Sequence, residues 1–180
     1  MGRDKALLPW DGGTLLDHAL RRLQAVCPSV RILAGPGARY EDRGVPVVVD
    51  VVSGAGPLGA LHAGLSQPGL DAGLFLGVDL PFVPVALLRQ LLDLLEDHDA
   101  VVPLSPAGPE PLCAVYRASC LEAISRRLQT GERKATSFWP DVHVREVDAA
   151  ALTSLGPLDL VFGNLNTPGD YDRARERAAR

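Results

Sequence analysis

The feature that most constrains this chain is an alternation that runs its whole length. Short apolar runs of strand length take turns with stretches whose apolar residues recur at helical spacing. Leu15, Leu16, Ala19, Leu20, Leu23 and Val26 share one face, with Arg21 and Arg22 on the other. That spacing predicts a helix, capped by Thr14 with Asp17 three residues on and ended by Pro28. Apolar runs at 30–34, 45–52, 74–78, 100–104, 112–116 and 142–147 predict strands. The run 74–78 is continuous, so it reads as a strand buried on both faces. Helical patterns fall between the runs: a short one through Leu61, Ala63 and Leu65, then 85–96 and 119–129, the last with Gly131 as its C-cap. A final helix begins after Thr167, with Pro168 in its first position and Asp170 closing a capping box.

Strands alternating with helices predict an α/β fold with helices on both faces of the sheet. We expect three layers, Rossmann-like, with a mostly parallel sheet. No linker or internal repeat divides the chain, so residues 1–180 are expected to form a single domain. The segment 103–111 contains four prolines and is expected to be a mobile loop at the rim of a site.

Composition narrows the function classes. With 47% hydrophobic and 22% charged residues, the 180-residue chain has the balance of a globular protein, which excludes general disorder. The 18 glycines and 15 prolines imply many turns. A net charge of −4 without a basic block argues against a nucleic-acid partner. No signal-peptide pattern is present, and the longest apolar stretches are too short to span a bilayer. Cys27, Cys113 and Cys120 are an odd set without a C-x-x-C pair, which predicts reduced thiols in a cytoplasmic protein.

Ligands of open α/β sheets sit outside the carboxyl ends of the strands, and polar residues cluster there. Asp79 closes the 74–78 run and is followed by Leu80-Pro81. Position alone leaves two readings for it, a turn-capping carboxylate or a ligand for Mg²⁺, which takes one or two carboxylates plus substrate phosphates. Asp50 interrupts a run of valines and is either a loop residue or a carboxylate facing a cavity. Of 18 basic residues only Lys5 and Lys134 are lysines. Lys5 is a solvated terminal lysine or a point charge for a polyphosphate. The loop 54–59 (G-A-G-P-L-G) offers backbone N–H groups, yet matches neither the P-loop nor the dinucleotide fingerprint. Arg133-Lys134 is a basic pair that suits an anionic second substrate or a solvated helix end. The chain's two asparagines, Asn164 and Asn166, fall in the turn before the last helix. The histidines lack metal-ligand spacing, and Trp10 and Trp139 read as packing residues.

Together these segments resemble a family. M-G-R-D-K-A-L-L at the start resembles the end of a nucleotidyltransferase signature, L-A-G-G-x-S-x-R-M-G-x-D-K. It is followed in order by W-D-G-G-T-L-L-D-H, V-V-V-D, G-P-L-G-A-L, G-V-D-L-P-F-V, E-P-L-C-A-V-Y, L-Q-T-G-E-R-K and N-L-N-T-P. This order is similar to that of the molybdenum cofactor guanylyltransferases, the MobA family, over nearly the whole chain. The resemblance implies transfer of GMP from GTP to molybdopterin with release of pyrophosphate. A cytidylyltransferase for the same pterin, a sugar-phosphate nucleotidyltransferase and a catalytically impaired partner-binding homologue are the alternatives.

The resemblance also implies roles. Lys5 and Asp79 would be catalytic, and Lys5, Asp50 and Asp79 would bind GTP. Asp79 would hold Mg²⁺, and Arg133, Lys134, Asn164 and Asn166 would shape the acceptor side. It implies a cytoplasmic monomer that makes transient contact with molybdopterin-handling proteins or molybdoenzyme chaperones. The chain opens at the Met of the signature, so the family's first strand and Gly-rich loop are expected to be missing. Losing an inner strand is expected to expose two sheet edges.

Overall fold

A computed structural model of the protein describes residues 4–35, 39–49 and 54–178. It begins with a 3₁₀ turn, Lys5–Leu7, and a hairpin of two short strands, β1 (Pro9–Trp10) and β2 (Gly13–Thr14). Helix α1 (Leu15–Gln24) starts at the expected cap. Asp17 Oδ2 accepts from Thr14 N at 2.8 Å, and Thr14 Oγ1 accepts from Asp17 N at 3.2 Å. The helix stops at Gln24, ahead of Val26 and Pro28.

The next two apolar runs give only short strands, β3 (Ile32–Leu33) and β4 (Val47–Val48), paired in parallel. Helix α2 (Gly56–Leu65) absorbs the second half of the glycine loop, with Ala55 as its N-cap. Strand β5 (Ala72–Leu76) and helix α3 (Val85–Asp93) follow. Then come β6 (Ala100–Ser105), β7 (Gly108–Pro109), β8 (Cys113–Arg117) and α4 (Cys120–Gln129). The chain closes with β9 (Val144–Val147), α5 (Ala149–Leu152), α6 (Leu158–Val161) and α7 (Pro168–Ala178).

The main sheet places β8 between β5 and β6, antiparallel to both, with β9 parallel to β6. The α/β fold is as expected and β5, β6 and β9 share one direction, but the expectation of one continuous, mostly parallel sheet is corrected. Among the described residues there are three separate sheets, and β8 runs against its neighbours. The reason lies in the connection. Strand β8 returns from β6 through the β6–β7 hairpin, whereas a parallel return needs a crossover of a dozen or more residues. The segment 103–111 is corrected too. It contains the hairpin itself, with Leu104 opposite Pro109 and Ser105 opposite Gly108. Glu110 N donates to Pro103 O at 3.0 Å, and Ser105 Oγ closes the tip on Gly108 O.

Side chains alternate across the sheet into two cores, as helices on both faces require. Ala100, Val102, Ala114 and Tyr116 face α2 and α4, packing on Leu58, Leu61, Ile124 and Phe138. Val101, Cys113, Val115 and Val147 face the other way, onto Leu87, Leu88, Leu91, Leu152 and Val161. Burying each of Leu87, Leu88 and Leu91 in full contributes about 1.5–3 kcal/mol.

Strand β5 departs from its reading as a strand buried on both faces: Phe75 is buried, but Leu74 and Leu76 are only half-buried. The edge of β5 away from β8 pairs with no strand among the described residues, and neither does the edge of β3 away from β4. Between them lies an apolar cleft of about 440 Å³, walled by Leu20, Leu23, Ile32, Leu74, Leu76 and Leu112. The cleft explains the half-burial of Leu74 and Leu76. No helix among the described residues is long and apolar enough to cross a membrane.

Candidate active site

Asp79 sits where β5 ends. Gly77 N donates to Leu112 O at 2.7 Å, and Leu80 N donates back to Gly77 O at 3.3 Å, so the chain turns at once. The carboxylate folds over Gly77. A Cβ added there would lie 2.6 Å from Asp79 Oδ1, closer than real contacts allow. Gly77 is thus a cradle for the carboxylate, and Gly77→Ala must displace it. A misplacement of about 1 Å costs up to about 10²-fold in rate. Gly77→Ala is expected to cut kcat/KM by that order while shifting stability by less than about 1 kcal/mol. Steady-state kinetics beside a urea melt reads both.

Helix α1 clamps the same loop from beneath. Arg22 donates to Leu80 O at 3.2 Å and to Pro81 O. Burial pushes its pKa down to about 10, still far above neutrality, so it stays charged. His18 Nε2 lies 3.0 Å from Pro81 O. A carbonyl oxygen only accepts, so Nε2 carries the proton. Burial first, then the Arg22 charge, lowers the His18 pKa, which keeps the ring neutral at pH 7. Arg22→Ala leaves two carbonyls short of a charged donor. It is expected to cost about 1–3 kcal/mol of stability and to lower turnover with Asp79 intact. Arg22→Lys, which keeps a donor but not the fork, is expected to recover part of both in the same assays.

Lys5 reaches Asp79 from the N-terminal turn. Its Nζ is 3.3 Å from Asp79 Oδ2 and 3.5 Å from Asn166 Oδ1. The turn is pinned by Asp4, whose Oδ1 accepts from Ala6 N at 3.1 Å and whose Oδ2 accepts from Tyr40 Oη at 2.6 Å. Burial and the bond to Asp4 push the Tyr40 pKa up to about 12, so its proton stays in this bond. Asn166 is fixed by the cap of α7. Asp170 Oδ2 accepts from Asn166 N at 3.1 Å and from Thr167 N at 2.7 Å, and Leu165 N donates to Asp79 O at 3.0 Å. The asparagine turn and the Asp79 loop are thus bonded together.

A cavity of about 1050 Å³ opens beside Asp79, walled by Pro57, Glu110, Arg133, Lys134, Trp139 and Asn164. Arg133 also closes on the glycine loop, donating from Nε to Gly54 O at 3.0 Å, while its carbonyl accepts from Leu58 N at 3.3 Å. Of the residues singled out from sequence, the structure brings Lys5, Asp79 and Asn166 into contact and places Asn164, Arg133 and Lys134 on the adjoining cavity. Asp50 lies outside the described residues. Sequence reasoning passed over Glu110, Trp139, His18 and Arg22. Glu110 was visible only as part of E-P-L-C-A-V-Y, and Arg22 was one arginine among many.

The donors here are hard oxygens, the Asp79 carboxylate and the Asn166 carboxamide, which suits Mg²⁺. No group of three or more His, Cys, Asp or Glu side chains that could hold a metal occurs among the described residues. Phosphate oxygens would therefore have to complete the coordination, as is usual for Mg²⁺ at nucleotide sites.

A carboxylate at a strand end, a lysine against it and a cavity bearing Arg133 and Lys134 are the parts a nucleotidyltransferase needs. Residues 1–145 match the MobA-like NTP transferase domain. The molybdenum cofactor guanylyltransferase of Desulfosudis oleivorans is 32% identical over 174 residues, covering 96% of this chain and 86% of that protein. Among solved structures, molybdopterin-guanine dinucleotide biosynthesis protein A from Archaeoglobus fulgidus superposes with a TM-score of 0.81 at 24% identity, over 99% of this chain and 92% of that one. Rv0371C from Mycobacterium tuberculosis, solved in complex with manganese, superposes with a TM-score of 0.65 at 21% identity, over 96% and 91%. The chain belongs to the MobA-like NTP transferase family.

Proposed function

We infer that this protein transfers GMP from GTP to molybdopterin, forming the guanine dinucleotide cofactor and pyrophosphate. The observation that carries the reading is the contact of Lys5 with Asp79 at 3.3 Å beside a cavity walled by Arg133 and Lys134. The names of the full-length relatives support it.

A phosphate oxygen of the pterin attacks the α-phosphorus of GTP, the bond from that phosphorus to the β-bridging oxygen breaks, and pyrophosphate leaves in line. Such a transfer needs positioning and charge neutralisation more than covalent help. Lys5 holds the β- and γ-phosphates as a point charge and neutralises the leaving pyrophosphate. Asp79 and Asn166 would hold the cation. When bound, Mg²⁺ would neutralise the triphosphate and polarise its oxygens. Arg133 and Lys134 draw in the acceptor phosphate, and Asp50 belongs to the nucleotide side.

Pyrophosphate release measured with molybdopterin and either GTP or CTP tests the reading. GTP is expected to be used at least about tenfold better than CTP, the discrimination of roughly one well-made hydrogen-bond set. A clear preference for CTP would replace guanylyl with cytidylyl transfer.

A further inference from the structure

The cavity beside Asp79 holds two groups that the transfer itself leaves without a task. Glu110 is half-buried on its wall. Burial first raises its pKa, the Ser105 hydroxyl lowers it and the Asp79 charge raises it again. A half-buried carboxylate beside another carboxylate is costly unless donors meet both its oxygens, and the Ser105 hydroxyl has a single proton to give. Arg133 turns its Nε to Gly54 O and one Nη to Glu132 O, which leaves its other N–H groups for a phosphate.

Trp139 forms the opposite kind of wall. Its Nε1 is shielded from solvent without a hydrogen-bond partner among the described residues, and it faces the Tyr116 hydroxyl, whose pKa burial pushes up and the indole draws partly back. The polar edge of the indole is therefore turned inward. What Trp139 offers the cavity is hydrocarbon, continued by Pro57 and Pro140.

We propose that Trp139 and Glu110 form the subsite for the heterocycle of the acceptor. Trp139 stacks on a planar fused ring, and Glu110 accepts two parallel N–H bonds from its 2-amino-4-oxopyrimidine edge. The proposal rests on the guanylyltransferase reading and extends it to the recognition of the second substrate. A carboxylate meeting an amino group and an adjacent ring N–H has the same fork geometry that makes arginine–carboxylate pairs strong. The third element is the basic pair. Lys134 is exposed on the same wall, which provides for a phosphate carried on the ring's side chain.

Guanine carries the same N–H edge, so the side of approach decides between the two. Lys5, which holds the leaving pyrophosphate, is not among the cavity's walls, whereas Asp79 is. In-line transfer puts the attacking oxygen opposite the leaving group. Asp79 meets Lys5 and also lines the cavity, so in this proposal it stands between the leaving group and the acceptor.

The test uses a stable pterin bearing a phosphate on its C6 side chain and, in parallel, Mg·GTP. Trp10→Phe leaves Trp139 as the single indole reporter. In that background the pterin phosphate is expected to quench the tryptophan emission. Glu110→Gln is expected to weaken pterin phosphate binding about tenfold or more, the cost of a bond to a charged group, with GTP affinity unchanged. Trp139→Phe is expected to bind the pterin nearly as wild type does, and Trp139→Leu several-fold more weakly. A lumazine phosphate, which lacks the 2-amino donor, is expected to bind wild type and Glu110→Gln alike. Wild type that binds pterin phosphate without quenching Trp139, or equally well with and without Glu110, overturns the subsite. Loss of GTP affinity in Glu110→Gln overturns it too, assigning the carboxylate to guanine. Wild type that binds GTP but no pterin phosphate instead removes the guanylyltransferase reading on which the subsite rests.

Discussion

Asp79→Asn is expected to lower kcat/KM for GTP with Mg²⁺ about 10³-fold, the range seen when a preorganised charge-stabilising group is removed from a transition state. The carboxylate is held from three directions. It folds over Gly77, its loop is clamped by Arg22 and His18, and its carbonyl is bonded to Leu165. An asparagine fits the same space, so the loss is chemical and not steric. The pair with Lys5 is partly exposed, with side chains 25% and 29% accessible, and such pairs contribute no more than about 1 kcal/mol to folding. A urea melt should therefore scarcely move. Binding gives a sharper signature. Without its carboxylate partner Lys5 is free to meet a triphosphate, so the variant is expected to bind metal-free GTP as well as wild type does, or better, while losing the tightening that Mg²⁺ brings. Calorimetric titration of GTP with and without Mg²⁺ separates the two. Equal tightening by Mg²⁺ in both proteins would show that the cation is held elsewhere.

Lys5→Met is expected to reduce kcat/KM about 10²-fold, again through charge at the transition state. Methionine keeps the length and apolar stem of the lysine and removes only the ammonium. Because the charge develops on the leaving pyrophosphate, the loss should fall mainly on kcat. Lys5 and Asp79 touch, so their effects should not add. The double variant is expected to be less impaired than the product of the single ones, since each loses part of its function with the other gone. Single-turnover kinetics on the three proteins gives the coupling. Full additivity would mean that the two residues act on separate ligands.

The capping boxes at Thr14 and Thr167 were legible in the sequence because they are local, set by residues three apart. Asp79 was legible as a position, since an acid ending an apolar run before Leu-Pro has few places to go in an α/β fold. Its grip on Lys5 was not, because the contact spans 74 positions. The direction of β8 escaped the reading because an apolar run looks the same in either orientation, and the two residues at the tip of the β6–β7 hairpin were lost in a proline-rich stretch read as loop. Glu110 sits directly after that hairpin, so misreading the hairpin hid the residue as well. Arg22 could not be told from its neighbour Arg21, since only packing shows which one turns toward the Asp79 loop.

In guanylyl transfer the α-phosphorus of GTP is the atom attacked and pyrophosphate leaves. Parallel incubations with molybdopterin, Mg²⁺ and GTP labelled at the α- or the γ-phosphate follow that bond directly. The α-label is expected to enter the pterin product and the γ-label to leave in pyrophosphate. Release of the γ-label as inorganic phosphate, with the pterin unlabelled, would contradict it.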